Sequence, residues 1–522
     1  MYYILGTSLA EGKGYRLLNE PGEIEAIQYP PLLPLVVALH QKLLGTSDFL
    51  VVGPWLRLFY FFLSLCFTIA VYLLIRLYLS PAFALPAALV SSFYFFVYYW
   101  SDTLYADIPF ALATVIFVLC NHKPNRAACR IAAGVIAAVA FLLRTAGIAL
   151  LAAWVAESLL LGRYRQIFFR AGVALVPVLI WQSHIIRVQN SHQYRTPGYA
   201  YQRAAYQYAN VTYAENSSLI DPFKPELGRI TTAEMLRRVG KNLAAMPIRL
   251  GEPVSSPLSF GHAQLKWLLS LCGSNKPPPW QLVTFPLALI GCLTIAGIVL
   301  LWTRLGWFIP IYIAIYVLLT CMAPWSDQFP RYLMPLTPFL ALSLFHLLAV
   351  VAEWRGRQTS SWYGKASLGL TLLLLAMIFL AQGLTLVQTY ARGRGLATYY
   401  DVSGKEIKFP LFYYDPQWEM VNTALEWLRR RAQPGEVIAA TAPHSAYLRT
   451  GLKAVLPPLE VDSDQAQRLL DSVPVRYVIL DVLGSPGISE RYTTPTIEKN
   501  SRLWKLIYTA PGGGARIYER VQ

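Results

Sequence analysis

MYYILGTSLAEGKGYRLLNEPGEIEAIQYPPLLPLVVALHQKLLGTSD, residues 1–48, leads into PWLRLFYFFLSLCFTIAVYLLIRLY, residues 54–78. The two stretches read differently. The first carries Glu11, Lys13, Arg16, Glu20, Glu23 and Glu25, so no run of about 18 apolar residues fits across it. It divides into two short helical pieces, Tyr2 to Glu11 and Pro31 to Leu44, around a polar loop that ends in Tyr29-Pro30-Pro31. The second stretch is apolar over a length that crosses roughly 30 Å of hydrocarbon. Similar runs recur downstream, so the chain is a polytopic helical membrane protein with a polar loop at its start.

Composition agrees. Of 522 residues, 55% are hydrophobic and 14% are charged, against roughly a quarter charged in soluble domains. Windowed reading of apolar runs predicts about ten spans: 54–78, 82–99, 106–121, 128–143, 145–161, 168–186, 280–302, 306–323, 333–352 and 366–388. The net charge of +16 belongs to the connecting loops, which multi-span proteins load with Lys and Arg; a nucleic-acid partner is not expected. One set of short loops holds Arg76, Lys123, Arg126, Arg130, Arg163, Arg165, Arg170, Arg304, Arg355, Arg357 and Lys365, whereas 101–106 holds no basic residue and 323–332 only Arg331. The positive-inside bias therefore predicts that residues 1–50, the segment 187–279 and everything after about 389 face away from the cytoplasm. The six cysteines, at 66, 120, 129, 272, 292 and 321, have neither metal-ligand spacing nor a disulfide pattern.

Two further segments are organised. The 187–279 loop is rich in tyrosine (194, 199, 201, 206, 208 and 213) and contains a helical pattern from Thr232 to Leu250. It is read equally well as a packed lid or as part of an acceptor-binding surface. After the last span, Trp418 to Arg431 reads as an amphipathic helix, Glu436 to Ala440 and Val475 to Asp481 as strands, and Asp464 to Leu470 as a helix between them. Leu506 to Tyr508 and Ala515 to Glu519 flank Gly512-Gly513-Gly514 as a hairpin. The alternation predicts a small α/β domain. The expected organisation is 1–50 as an outer loop with amphipathic juxtamembrane helices, 51–388 as the membrane bundle, and 389–522 as the α/β domain.

Ionisable groups at membrane depth are candidates for function because their burial is costly. Three groups qualify. Trp100-Ser-Asp102-Thr-Leu-Tyr105-Ala-Asp107-Ile-Pro109 puts two carboxylates at the outer edge of a span; the plain alternative is helix capping. Arg144 falls between two predicted spans; the plain alternative is a snorkelling arginine. Arg331-Tyr332 opens the ninth span; the plain alternative is an interfacial anchor. His40, His184 and His262 show no ligand spacing. All three candidate groups fall at the same predicted rim. Arginines there can bind a phosphate through charge-assisted hydrogen bonds, and a carboxylate can take a proton from an attacking hydroxyl.

The run Tyr2-Tyr3…Leu9-Ala10-Glu11-Gly12-Lys13-Gly14-Tyr15, with Tyr29-Pro30-Pro31-Leu32 and Leu44-Gly45, resembles the first outer loop of GT-C membrane glycosyltransferases. The resemblance is to the bacterial branch related to protein O-mannosyltransferases and lipid A aminoarabinose transferase. Asp102 to Pro109, Leu143-Arg144-Thr-Ala-Gly147 and Arg331-Tyr332-Leu-Met-Pro335 stand where that family has comparable segments. The resemblance implies a GT-C-like bundle in a bacterial inner membrane, a polyprenyl-phosphate-linked sugar as donor, and transfer to an extracytoplasmic acceptor, usually with inversion. It implies Asp102 and Asp107 as catalytic carboxylates and Arg144, Arg331 and Tyr332 as donor-phosphate contacts. Tyr29 and Pro30 become first-loop substrate contacts, and a divalent metal is possible. The family pattern has a span and an acidic residue ahead of the Tyr-Tyr run, where this sequence has Met1. The expectation is an apolar span of roughly 20 residues, ending in Asp or Glu, encoded upstream. The aminoarabinose transferase has a lysine at the position of Tyr29. The alternatives to a glycosyltransferase are a lipid-linked sugar flippase or transporter, and a catalytically inactive GT-C-like protein.

Overall fold

The computed structural model describes residues 1–122, 127–274, 276–304, 306–356, 362–393, 395–401, 404–411, 414–483 and 487–521. Lys123, Arg126 and Arg357, three of the basic residues behind the orientation argument, lie outside them.

The chain opens with α1 (Tyr2–Ala10) and α2 (Leu32–Leu44), then the first long helix, α3 (Phe49–Arg76). Next come α4 (Pro81–Ser92), α5 (Phe95–Trp100), α6 (Asp107–Asn121), α7 (Ala127–Leu143), α8 (Ile148–Leu160) and α9 (Tyr164–Gln189). The loop that follows holds two short helices, α10 (His192–Arg195) and α11 (Tyr213–Ser217). After it come α12 (Thr232–Ala244), α13 (Met246–Gly251) and α14 (Leu258–Leu271). Then follow α15 (Gln281–Arg304), α16 (Phe308–Cys321), the single turn α17 (Phe329–Tyr332), α18 (Thr337–Gly356) and α19 (Trp362–Gly393). The C-terminal part runs β1 (Gly395–Tyr400), β2 (Glu406–Leu411), α20 (Pro416–Arg429), β3 (Val437–Ala439), α21 (Pro443–Thr450), β4 (Lys453–Val455), α22 (Ser463–Asp471), β5 (Val475–Asp481), α23 (Thr494–Lys499), β6 (Trp504–Thr509) and β7 (Ala515–Arg520).

Five segments among the described residues are long and apolar enough to cross a membrane: Phe49–Arg76, Tyr164–Gln189, Gln281–Arg304, Ser326–Trp354 and Leu368–Ala391. The other apolar helices, among them α6, α7 and α16, are shorter. This is a multi-pass membrane protein. Two sequence expectations are corrected. The predicted span 82–99 is broken, because Tyr94 is extended and starts a new helix. Its hydroxyl donates to the Pro330 carbonyl at 2.9 Å, a bond that holds the break. The predicted helix Thr232 to Leu250 is two helices, because Pro247 sits in the first turn of α13. There its missing N–H is harmless, whereas inside a continuous helix it would remove an intrahelical hydrogen bond and crowd the preceding turn.

The fold divides into two compact units. One comprises Leu56–Leu179 and Ala233–Arg392 and is all helical. Within it α6 packs on α7, α8 on α16, and α15 on both α13 and α18. The other comprises Met1–Trp55, Ile180–Thr232 and Gly393–Gln522. Its five-stranded sheet has the order β4-β3-β5-β7-β6. β3 is parallel to β4 and β5, while β7 is antiparallel to β5 and β6. Strand alternation sends Ile438, Ile479 and Ile517 to one face, against Val421, Leu425 and Leu428 of α20. Val437, Val478 and Leu480 go to the other face, with Leu470, Ile497 and Trp504. Tyr199 and Tyr201 of the tyrosine-rich loop are buried in that second cluster. β1 and β2 form a separate antiparallel pair.

Candidate functional site

The site is built in the helical unit around Asp107, the first residue of α6, where a carboxylate also interacts favourably with the helix dipole. Its side chain is 2% exposed. Arg144 Nη1 donates to Asp107 Oδ1 at 2.6 Å, and Arg331 Nη2 approaches Oδ2 at 3.4 Å. Two guanidiniums around one carboxylate leave a net positive charge. The carboxylate forms the floor, since the arginine side chains are 19% and 23% exposed.

Local chain breaks aim both arginines. Arg144 is extended (φ −153°, ψ 129°), between α7 and the 3₁₀ turn Thr145–Gly147. A Cβ on Gly147 would lie 2.7 Å from backbone atoms of Phe141, so only glycine lets this turn fold back onto α7. Arg331 is carried by α17, with Pro330 inside its first turn. Its guanidinium lies 4.7 Å from the Trp100 ring centroid and 4.6 Å from that of Tyr105, a cation–π box that fixes the plane of the fork. Arg331 Nε and Trp100 Nε1 are buried without a hydrogen-bond partner among the described residues. Arg144 stands 5.8 Å from the Tyr332 ring centroid.

Three buried tyrosines pin the backbone that carries these groups. Tyr60 donates to the Tyr105 carbonyl, Tyr94 to Pro330 at 2.9 Å, and Tyr316 to Tyr332 at 3.1 Å. Tyr60 comes from α3, Tyr94 from the break before α5 and Tyr316 from α16, so the segments before α6 and around α17 are held by bonds from outside themselves.

The fold thus brings together Asp107, Arg144, Arg331 and Tyr332. Asp102 is not in this cluster. Arg57 of α3 takes it bidentately, with Nε on Oδ1 and Nη2 on Oδ2 at 2.8 Å. Arg57 was missed in the sequence, although an arginine inside an apolar run is itself a signal. Tyr29 and Pro30 belong to the other unit. There the Tyr29 ring meets Tyr2 edge-on at 5.2 Å, and Tyr15 Oη bonds to the Tyr29 carbonyl at 2.9 Å. Pro30 is buried. The residues around Asp107 do not fit a divalent metal. Both carboxylate oxygens face guanidiniums, and no group of three or more His, Cys, Asp or Glu side chains suited to a metal occurs among the described residues.

No family model and no curated protein matches the sequence. Among solved structures, the Archaeoglobus fulgidus oligosaccharyltransferase, solved in complex with Zn and sulfate, aligns with 99% of this chain and 68% of its own. The identity is 15% and the TM-score 0.50. ArnT from Cupriavidus metallidurans bound to undecaprenyl phosphate aligns with 100% of this chain and 93% of its own, at 11% identity and a TM-score of 0.38. The same protein in the apo state aligns at 12% identity and a TM-score of 0.39, over 100% of this chain and 92% of that one. At such identity the likeness to the oligosaccharyltransferase is one of fold alone.

Proposed function

We propose that the protein is a GT-C-type glycosyltransferase of the bacterial inner membrane. It moves a sugar from a polyprenyl-phosphate-linked donor to an acceptor outside the cytoplasm. The observation that carries this reading is the Arg144–Asp107–Arg331 cluster: two arginines held ready over a buried carboxylate, with net positive charge. In the reaction the acceptor's oxygen or nitrogen forms a bond to the anomeric carbon, and the bond from that carbon to the lipid phosphate breaks. Negative charge develops on the leaving phosphate, where Arg144 and Arg331 stabilise it. Asp107 positions both guanidiniums, so no reorganisation is needed as the charge appears. Asp102, with a side chain 17% exposed, is the carboxylate an acceptor reaches, and it takes the proton. Single displacement inverts the anomeric centre.

The test is sugar transfer from radiolabelled polyprenyl-phosphate donors in membranes containing the full chain. Arg144→Ala and Arg331→Ala are each expected to lower the rate about 10²-fold or more, the loss typical of one transition-state donor. Transfer undiminished in Arg144→Ala and Asp102→Asn would overturn the site. Movement of donor between leaflets without transfer would favour a flippase.

A further inference from the structure

A second polar site lies at the other end of the helical unit. α6 carries Asp107 in its first turn and Asn121 as its last residue, about 21 Å apart at 1.5 Å per residue. Around Asn121 a cavity of about 190 Å³ opens between the C-terminal ends of α6, α8 and α15 and the starts of α9 and α16. Arg163 and Arg170 line it, with Glu157 and the aromatic wall of Trp307 and Phe308.

Arg170 is the anchor. It is 6% exposed, and its guanidinium carbon lies 5.2 Å from the Trp154 ring centroid. Nη1 donates to Glu157 Oε2 at 2.7 Å and to the Trp154 carbonyl at 2.8 Å. Trp154 is in turn fixed by its indole N–H on Asn121 Oδ1 at 3.2 Å. Both Arg170 bonds among the described residues come from Nη1, which leaves Nε and Nη2 for the cavity. A buried arginine fork on such a scaffold, with part of its donor set left open, offers N–H groups that an acceptor in the cavity can meet. With Glu157 offsetting one guanidinium, Arg163 and Arg170 leave the site net positive.

We infer that this cavity binds the anionic phosphodiester headgroup of a phospholipid from the cytoplasmic leaflet. Three arguments favour a lipid over free phosphate as the source of that group. The neighbouring surface of α9 is aromatic and outward-facing, with Tyr164 69% and Phe168 80% exposed, as suits acyl chains beside a charged pocket. Arg163, Arg165, Arg170 and Arg304 stand between or near these helix ends and belong to the set expected in the cytoplasm, where anionic lipid attracts basic pockets between helices. The volume is below the roughly 300 Å³ at which pockets enclosing whole drug-sized ligands begin. It therefore suits a headgroup whose tails remain outside.

The experiment uses the full chain in detergent and reads the binding of dioleoylphosphatidylglycerol, dioleoylphosphatidylcholine and inorganic phosphate by native mass spectrometry. Phosphatidylglycerol should be retained in preference to phosphatidylcholine. Arg163→Glu, an exposed change at a turn, should weaken phosphatidylglycerol about tenfold. Arg304→Glu, on the same face but not lining the cavity, should not. Arg170→Gln should act like Arg163→Glu, and if it fails to fold the Arg163 comparison still decides. Equal losses in Arg163→Glu and Arg304→Glu would reduce the effect to general surface charge and overturn the site. Binding of inorganic phosphate without preference for phosphatidylglycerol would overturn the lipid assignment. Either failure leaves the reading of the Asp107 cluster untouched.

Discussion

At the scale of single residues, the two carboxylates near the start of α6 have opposite situations, and stability should separate them. Asp107 is buried between two arginines. Asp107→Ala leaves Arg144 and Arg331 facing each other uncompensated, and breaking a buried pair this way costs about 3–5 kcal/mol. Asp102→Ala removes an ion pair whose arginine is 41% exposed, worth about 1 kcal/mol or less. Unfolding of the purified chain in detergent should therefore show Asp107→Ala as much the less stable variant. Comparable losses would mean that Asp107 is not the keystone of the cluster. The two roles could not be told apart from sequence. Asp102 and Asp107 stand five residues apart and look equivalent until the helices place Arg57, 45 residues away, beside the first and Arg144 and Arg331 beside the second. Their shared position at a span edge was legible from hydropathy alone; their partners depend on topology.

At the scale of elements, long apolar periodicity was readable, and so were α20, α22, β5 and the β6–β7 hairpin, because each carries a full repeat of its own pattern. The short pieces were not. α5 and α17 are one or two turns long, too short to show a helical period, and tertiary bonds such as Tyr94 to Pro330 hold them in place. β2 does alternate, with Ile407, Phe409 and Leu411 more enclosed than their neighbours, but Pro410 weakens the strand signal there. Packing between α13 and α15 was likewise invisible. A Cβ on Gly291 would sit 1.7 Å from the Pro247 carbonyl oxygen, and one on Gly251 would sit 2.1 Å from that of Leu287. The two helices touch backbone to backbone, as small residues permit in membranes. Gly291→Ala must push α13 away, with a loss of about 1–3 kcal/mol. By contrast Gly369→Ala, on α19 with open space at its Cβ, should be neutral. The comparison is made by thermal unfolding in detergent, and equal midpoints for the two variants would contradict the close approach.

At the scale of the molecule, the sheet-containing unit is assembled from three remote pieces of chain, and its polar ties make its stability depend on pH in a predictable way. Asn19 pairs with Ala454 through N–H to carbonyl bonds of 2.7 and 3.1 Å, so the N-terminal loop covers the edge of β4. Lys453 Nζ bonds Glu23 at 2.7 Å, and Glu226 of the middle loop takes bonds from Arg491 and Tyr492. Glu20 ties the first piece to the second, accepting from Tyr199 at 2.8 Å and Gln202 at 3.3 Å. Burial raises the Glu20 carboxyl above its usual range, although those hydrogen bonds pull the other way. The Lys453 hydrogen bond holds Glu23 below that range. The signs follow from proton linkage. Native Glu20 keeps its proton where the unfolded chain has lost it, so its contribution falls as pH rises from about 4.3 through the raised value. Native Glu23 stays ionised, so its contribution is present above about 4.3 and is lost as pH falls through the lowered value. Glu20→Gln should therefore match the wild type in acid and exceed it at neutral pH. Glu23→Gln should match in acid and fall below it at neutral pH by about 1 kcal/mol or less, as befits a half-exposed pair. Unfolding midpoints of the full chain across this range measure both. A Glu20→Gln difference that stays constant with pH would show that the carboxyl titrates alike in the folded and unfolded chain, and that its place between Tyr199 and Gln202 carries no proton-linked energy.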